Sequence, residues 1–347
     1  MSRSTATLGA RPAWIWGARP ATRRLWAIAV LLGLVVAISL LLGRYPSPGF
    51  IAPDRLASDD LAQRIVFNLR LPRILTALAL GMSLAAAGAV FQQIFGNPLV
   101  EPGFLGVSQG AAFGASLAIL GWGSTAWLVQ GSAALFAFVG LALSYILARR
   151  ARFGGSVLRL VFAGIAVSAL FSAGVGALKY AADPLSQLPE ITFWLLGGLA
   201  SITWPQFWSI APVVVVSLFV IYRMRWRLNL LSLDDATAFS LGASPGRERA
   251  LLLGCAVAAT AAVVSVCGMV GWLGLIVPHI ARRLFGADAR DAVPAALLIG
   301  GIFGVLCDDI ARTLLAGEIP IGILTSLIGA LFFFLIFMTY GHGSQER

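Results

Sequence analysis

A polytopic, all-α membrane protein is the fold class this sequence predicts, and three observations predict it. Apolar residues make up 59% of the 347-residue chain and charged residues only 12%, with a mean hydropathy of +0.89. Soluble domains carry about 25% charged residues. Uncharged stretches recur at 74–100, 102–148, 160–178, 191–222 and 250–281, each near or above the roughly 20 residues a helix needs to cross hydrocarbon. Third, these runs do not alternate with period two, which excludes a β-barrel, and they are too long for the core helices of a soluble domain.

Ten spans follow in order. The first, 25–43, comes after five arginines and lacks an A-x-A cleavage site, so it reads as a retained helix rather than a signal peptide. The second, 71–94, starts at a proline and runs into "GNPLVEP", which breaks it. The third, 104–121, carries Gly106, Gly110 and Gly114 at every fourth position, a face that lets a neighbouring backbone approach closely. Spans four and five are 126–148 and 158–180. The stretch 183–201 is too interrupted by Pro and Gly to cross, and reads as a short helix near one membrane face. Spans six to ten are 206–223, 248–268, 271–284, 292–309 and 319–340. The chain thus divides into a tail (1–24), one ten-helix domain (25–340) and a short C-terminal tail (341–347).

The formal charge of +10 does not form a nucleic-acid patch. With ten spans, 18 of the 25 basic residues fall on one side and seven on the other. The positive-inside rule then puts both termini in the cytoplasm. The longest cytoplasmic connection, 223–250, encodes a short helix of about 232–242. Ser232 is read as its N-cap, Asp234 and Asp235 suit its positive end, and Gly242 closes it in left-handed geometry. Leu231, Leu233, Ala236, Phe239 and Leu241 leave apolar surface on it, as a docking element for another protein would.

Covalent chemistry is not supported. The only lysine, Lys179, precedes Tyr180, so no Walker-type nucleotide loop exists. Neither His279 nor His342 has a metal partner at ligand spacing, and Cys255, Cys267 and Cys307 sit singly in apolar runs. Glu101 is read as the one ionisable group placed for a role inside the bilayer. It lies in the break at 97–102, where Asn97, Pro98 and Pro102 also resist helix. Broken backbone at that depth is tolerated where it lines a cavity. A second break, "GMVGWLGLIVPHIARR" (268–283), matches it in the other half, and paired breaks point to transport architecture.

Four ordered stretches resemble the permease subunits of type II ABC importers for iron chelates, haem and cobalamin. They are "LRLPRILTALALGMSLAAAGAVFQQIFGNPLVEPGFLGVSQGAAFGA" (69–115), "LLSLDDATAFSLGAS" (230–244), "GWLGLIVPHIARRLFGADAR" (271–290) and "DDIARTLLAGEIPIGILTSLIGALFFFLIF" (308–337). The resemblance implies an inverted repeat of helices 2–5 and 7–10, and a homodimer with the path at its interface. It implies two copies of a separate ATPase, which would bind the ATP and magnesium, and an extracytoplasmic binding protein; this chain would need no cofactor. Asn97, Pro98 and Leu99 would narrow the cytoplasmic end of the path. Val157 and Leu158 stand where cobalamin-type members carry small polar gate residues, a departure that weakens a cobalamin assignment. The 232–242 helix would couple to the ATPase, and Arg70, Arg73 and Arg312 would meet acidic residues of the binding protein. Anchoring or capping of helix ends is the plainer role for those arginines. The implied function is a non-catalytic importer subunit of the bacterial inner membrane, carrying a ferric siderophore or haem. Molybdate, tungstate or cobalamin are alternative cargoes of the same fold. A cation-coupled carrier using Glu101, or a scaffold that only anchors an ATPase, are alternatives of another class.

Overall fold

Helix α1 (Pro20–Leu41) opens the computed structural model, which describes residues 20–45, 49–52, 56, 58–123, 125–151, 156–315 and 317–342. The expected tails otherwise lie outside the described residues, but 20–24 and 341–342 are already helical. A two-residue antiparallel ribbon, β1 (Leu42–Gly43) with β2 (Gly49–Phe50), follows α1. The second span begins earlier than expected. Helix α2 (Asp60–Arg64) passes through a π-helical turn, Ile65–Arg70, into α3 (Leu71–Phe95) without leaving the helical path. Pro72 supplies no N–H to the preceding turn, and widened turns of this kind accommodate such a gap.

The remaining helices are α4 (Val107–Trp122), α5 (Ala126–Arg150), α6 (Ser156–Ala181), the short α7 (Gln187–Leu196), α8 (Trp204–Leu231), α9 (Asp235–Ser240), α10 (Pro245–Cys267), α11 (Leu273–Phe285), α12 (Ala289–Thr313) and α13 (Ile321–His342). Among the described residues seven helices are long and apolar enough to cross a membrane. Expected spans three and eight are shorter, α4 having 16 residues and α11 13, whereas α13 runs 22 residues over expected span ten. α4 and α11 are shortened because the breaks before them consume the residues that would complete a span.

α3 is the centre of the bundle, buried along most of its length against α12, α10, α11 and α8. Backbones meet there through glycine. A Cβ on Gly81 would lie 1.9 Å from the Gly300 carbonyl, and one on Gly88 would lie 1.9 Å from the Gly274 carbonyl. The predicted glycine face of span three is also a packing face, with one correction. Gly110 and Gly114 close on the Phe136 and Ser132 carbonyls of α5, whereas Gly106 precedes α4 as its left-handed cap, φ 75°. Phe113, Phe136 and Phe171 fill the space between α4, α5 and α6, with ring centroids 5.1–6.3 Å apart.

Two prolines inside helices are compensated from neighbouring elements. Pro278 cannot donate to the Gly274 carbonyl one turn back. The buried Gln92 of α3 does so instead, Nε2 to oxygen at 3.1 Å, and also reaches the Leu275 carbonyl at 3.3 Å. Pro294 likewise frees the Arg290 carbonyl, which accepts from Arg225 Nε at 3.1 Å. That second bond explains why α8 runs to Leu231 instead of ending near 223. Its last turns lie against the start of α12, where Asn229 bonds Asp288 (2.7 Å) and the Ala289 N–H (2.9 Å), and Leu228 and Leu231 are buried.

Candidate functional site

The two breaks come together. α3 ends at Gly96 (φ 58°); the chain then crosses 97–101 and a 3-10 turn, Pro102–Leu105, before Gly106 (φ 75°) starts α4. Helix α10 ends at Gly268 (φ 71°), and Trp272 (φ 69°) starts α11; it is the one non-glycine residue with positive φ among those described. Each half therefore contains a long helix, a glycine of positive φ, an irregular stretch, and a left-handed residue that opens a short helix. A Cβ on Gly274 would lie 3.3 Å from Pro102 and 3.6 Å from Glu101, which sets one break against the other. Between them lies a cavity of about 370 Å³ whose polar walls come from Glu101, Ser108, Gln109, Ser168 and Thr260.

Glu101 is thus part of this cavity. Asn97, Pro98 and Leu99 are exposed and are not among its lining. Asn97 Oδ1 accepts from the Leu99 N–H at 2.9 Å, so the side chain shapes the turn. Leu158 is exposed on α6, and the side chain of Val157 lies outside the described residues. The cavity residues Ser108, Gln109, Ser168 and Thr260 were not singled out in the sequence. Small polar residues on apolar helices give no local signal of what they face.

The connection between α8 and α10 corrects two expectations: Leu231, expected on the apolar surface of the short helix, is buried at the end of α8, and the cap is a different residue. Ser232 is not an N-cap; it closes α8, its N–H bonded to the Leu228 carbonyl. Asp234 caps α9 instead, its carboxylate accepting from the Thr237 N–H at 3.0 Å. Hydrogen bonds from Thr237 hold the Asp234 pKa below the usual aspartate value. Gly242 has the expected positive φ, 81°. Leu233, Asp235, Ala236, Phe239 and Leu241 are exposed, with Phe239 73% accessible. The element is anchored by Arg249, which bonds Asp235 and the Leu231 carbonyl, and by Arg227, which bonds the Gly242 carbonyl at 3.0 Å.

At the opposite end the three arginines are committed to internal partners. Arg70 donates to the Leu40 and Leu41 carbonyls (3.0 and 3.1 Å), and Arg312 to those of Ser39 and Leu42 (both 2.6 Å), so together they cap the end of α1. Arg312 also pairs with Asp309, and Arg73 pairs with Asp308 (2.8 Å) and Glu318 (2.7 Å). Asp308 and Asp309 are buried, so Glu101 is not the only acid placed inside the protein. They were missed because an Asp-Asp pair at the end of a span reads as a solvated helix end. Among the described residues no cluster of three or more His, Cys, Asp or Glu could hold a metal ion.

Membrane-length helices, two broken segments meeting at a cavity and an exposed, well-capped helix on one face define a multi-pass transport permease of the ABC importer class. The chain belongs to the FecCD transport family, which matches residues 29–339. It is 39% identical over 330 residues to the molybdate import system permease of Haemophilus influenzae, covering 93% of this chain and 97% of that one. It is 41% identical over 295 residues to an iron chelatin transport system permease of Helicobacter pylori, covering 84% and 87%. A solved structure, described as an inward-facing conformation of a metal-chelate type ABC transporter, superposes with a TM-score of 0.85 at 38% identity, over 92% of this chain and 99% of that one.

Proposed function

We propose that this chain forms, as a homodimer, the translocation path of a binding-protein-dependent importer for a metal chelate, with both termini in the cytoplasm. The observation that carries the reading is the cavity that the two breaks line together, Glu101 and Pro102 from one and Met269, Val270 and Gly271 from the other. Matching helix–break–short-helix units in the two halves support the inverted repeat. α9 would engage a separate ATPase through Phe239 and Leu241, and that subunit would bind ATP and magnesium. At the outer rim, Arg70, Arg73 and Arg312 would meet the binding protein; Glu318, 44% exposed, is the internal partner most open to exchange for an incoming acid. A metal chelate as cargo is supported by the superposed transporter, and iron as its metal by the Helicobacter relative.

A second cargo, an oxyanion such as molybdate, is favoured by one observation: the relative named for molybdate aligns over 93% of this chain. Proteoliposomes containing the chain, its ATPase and its binding protein should accumulate labelled ferric chelate only when ATP is supplied. Accumulation by the chain alone, driven by a proton gradient and abolished by Glu101→Gln, would replace this reading with a coupled carrier. Accumulation of molybdate in place of chelate would decide for the second cargo.

A further inference from the structure

On the face that carries α9, a second cavity of about 380 Å³ opens between α3, α5, α6, α9 and α10, and no role proposed above uses it. Arg149, Arg159 and Arg249 line it against a single acid, Asp235, so its wall carries excess positive charge. The arginines are only partly spoken for. Arg249 bonds Asp235 and the Leu231 carbonyl, Arg159 bonds the Ala151 carbonyl at 2.8 Å, and Arg149 lies 5.6 Å from the centre of the Tyr145 ring. The buried Nε atoms of Arg159 and Arg249 have no partner among the described residues. The rest of the wall is apolar, with Phe95 and Leu253. Beside the cavity the bordering helices present exposed Ile146 and Leu147 on α5 and Leu251 on α10.

We propose that this cavity binds the phosphate of an anionic phospholipid from the cytoplasmic leaflet, with its acyl chains lying along Ile146, Leu147 and Leu251. Guanidinium groups present paired donors that match phosphate oxygens. Basic pockets between membrane helices at the cytoplasmic surface are suited to anionic headgroups. A free anion in water needs the charge but not the apolar border, which is why the lipid is the better occupant. A bound headgroup would touch the Arg249–Asp235 pair and so brace α9 from behind. The inference rests on the membrane orientation proposed above, but its test does not depend on transport.

Full-length chain, delipidated in detergent, is titrated with phosphatidylglycerol, with phosphatidylcholine and with inorganic phosphate. Retention is read by native mass spectrometry and Tm by thermal melting. Phosphatidylglycerol should be retained at one per chain and raise Tm; phosphatidylcholine should do neither. The R149Q/R159Q double variant should bind it roughly tenfold or more weakly, and R149K/R159K should recover most of the loss. Leu253→Trp keeps every charge but fills the cavity, so it should lose retention too; unchanged helix content by circular dichroism excludes misfolding. Retention undiminished in R149Q/R159Q or in Leu253→Trp overturns the site. Protection by inorganic phosphate without retained lipid overturns the lipid assignment in favour of a free anion. Wild-type lipid retention with loss of the co-purifying ATPase in R149Q/R159Q would assign the arginines to an acidic protein surface instead.

Discussion

Gln92 shows how one side chain can stand in for a missing backbone donor. Pro278 leaves the Gly274 carbonyl orphaned within its own helix, and Gln92 supplies the hydrogen bond from 182 residues away. Removing one partner of a buried hydrogen bond costs about 1–3 kcal/mol. Gln92→Leu should therefore lower the melting temperature, and adding Pro278→Ala, which restores an N–H at the right position, should recover part of the loss. No recovery would mean that the amide acts mainly through Arg282, whose guanidinium bonds the other end of Gln92. Gly88→Ala is the harsher test. Its methyl would collide with the Gly274 carbonyl and carbon (1.9 and 2.6 Å), and backbone cannot swing aside as a side chain can. It should cost at least the roughly 1–3 kcal/mol of ordinary overpacking, read as a loss of folded protein in a detergent melt.

At the scale of an element, α9 is a short helix with little support of its own, so its caps and anchors decide whether it forms. Asp234→Ala should fray it and reduce ATPase stimulation, while the membrane helices keep their melting temperature. Because Asp234 has a depressed pKa in the folded protein, the cap is fully present above the ordinary aspartate value and is lost as pH falls through the lower folded one. Coupling should thus be insensitive to this group near neutral pH and weaken only in acid; Asp234→Asn should remove that acid limb. Phe239→Asp should abolish docking with no loss of helix content, since the ring is mostly exposed; docking that survives it would move the coupling surface elsewhere. Ser232→Pro is a poor probe of α9, because that N–H closes α8. The sequence revealed that a capped apolar helix lies here, from Asp234, Asp235 and Gly242. It pointed to Ser232 as the cap, a role the structure gives to Asp234. Ser232 and Asp234 are both good caps, and the choice fell to Asp234 because Asn229 and Arg225 hold α8 helical against α12 up to Leu231.

Across the whole molecule, buried ion pairs join segments far apart in the chain. Arg73 reaches Asp308 and Glu318 over separations of 235 and 245 residues, linking α3, α12 and the segment before α13. Arg73→Gln would strand a buried carboxylate. The expected cost is about 3 kcal/mol, at the low end for a broken buried pair because Arg312 remains 3.6 Å from Asp308. Arg73→Gln combined with Asp308→Asn should be more stable than Arg73→Gln alone in thermal melts. Equal stability would show that Asp308 is already neutral.

The sequence by itself determined that the chain crosses a membrane repeatedly and where its two central breaks lie. Hydrophobic run length, charge and proline act locally, so they can be read locally. Only the tertiary structure decided that the two breaks share a cavity, that Gln92 repairs the gap at Pro278, and that Arg70, Arg73 and Arg312 bond inward. Such pairings join residues that the chain keeps far apart. An arginine looks the same in sequence whether its partner is water, another protein or a buried aspartate.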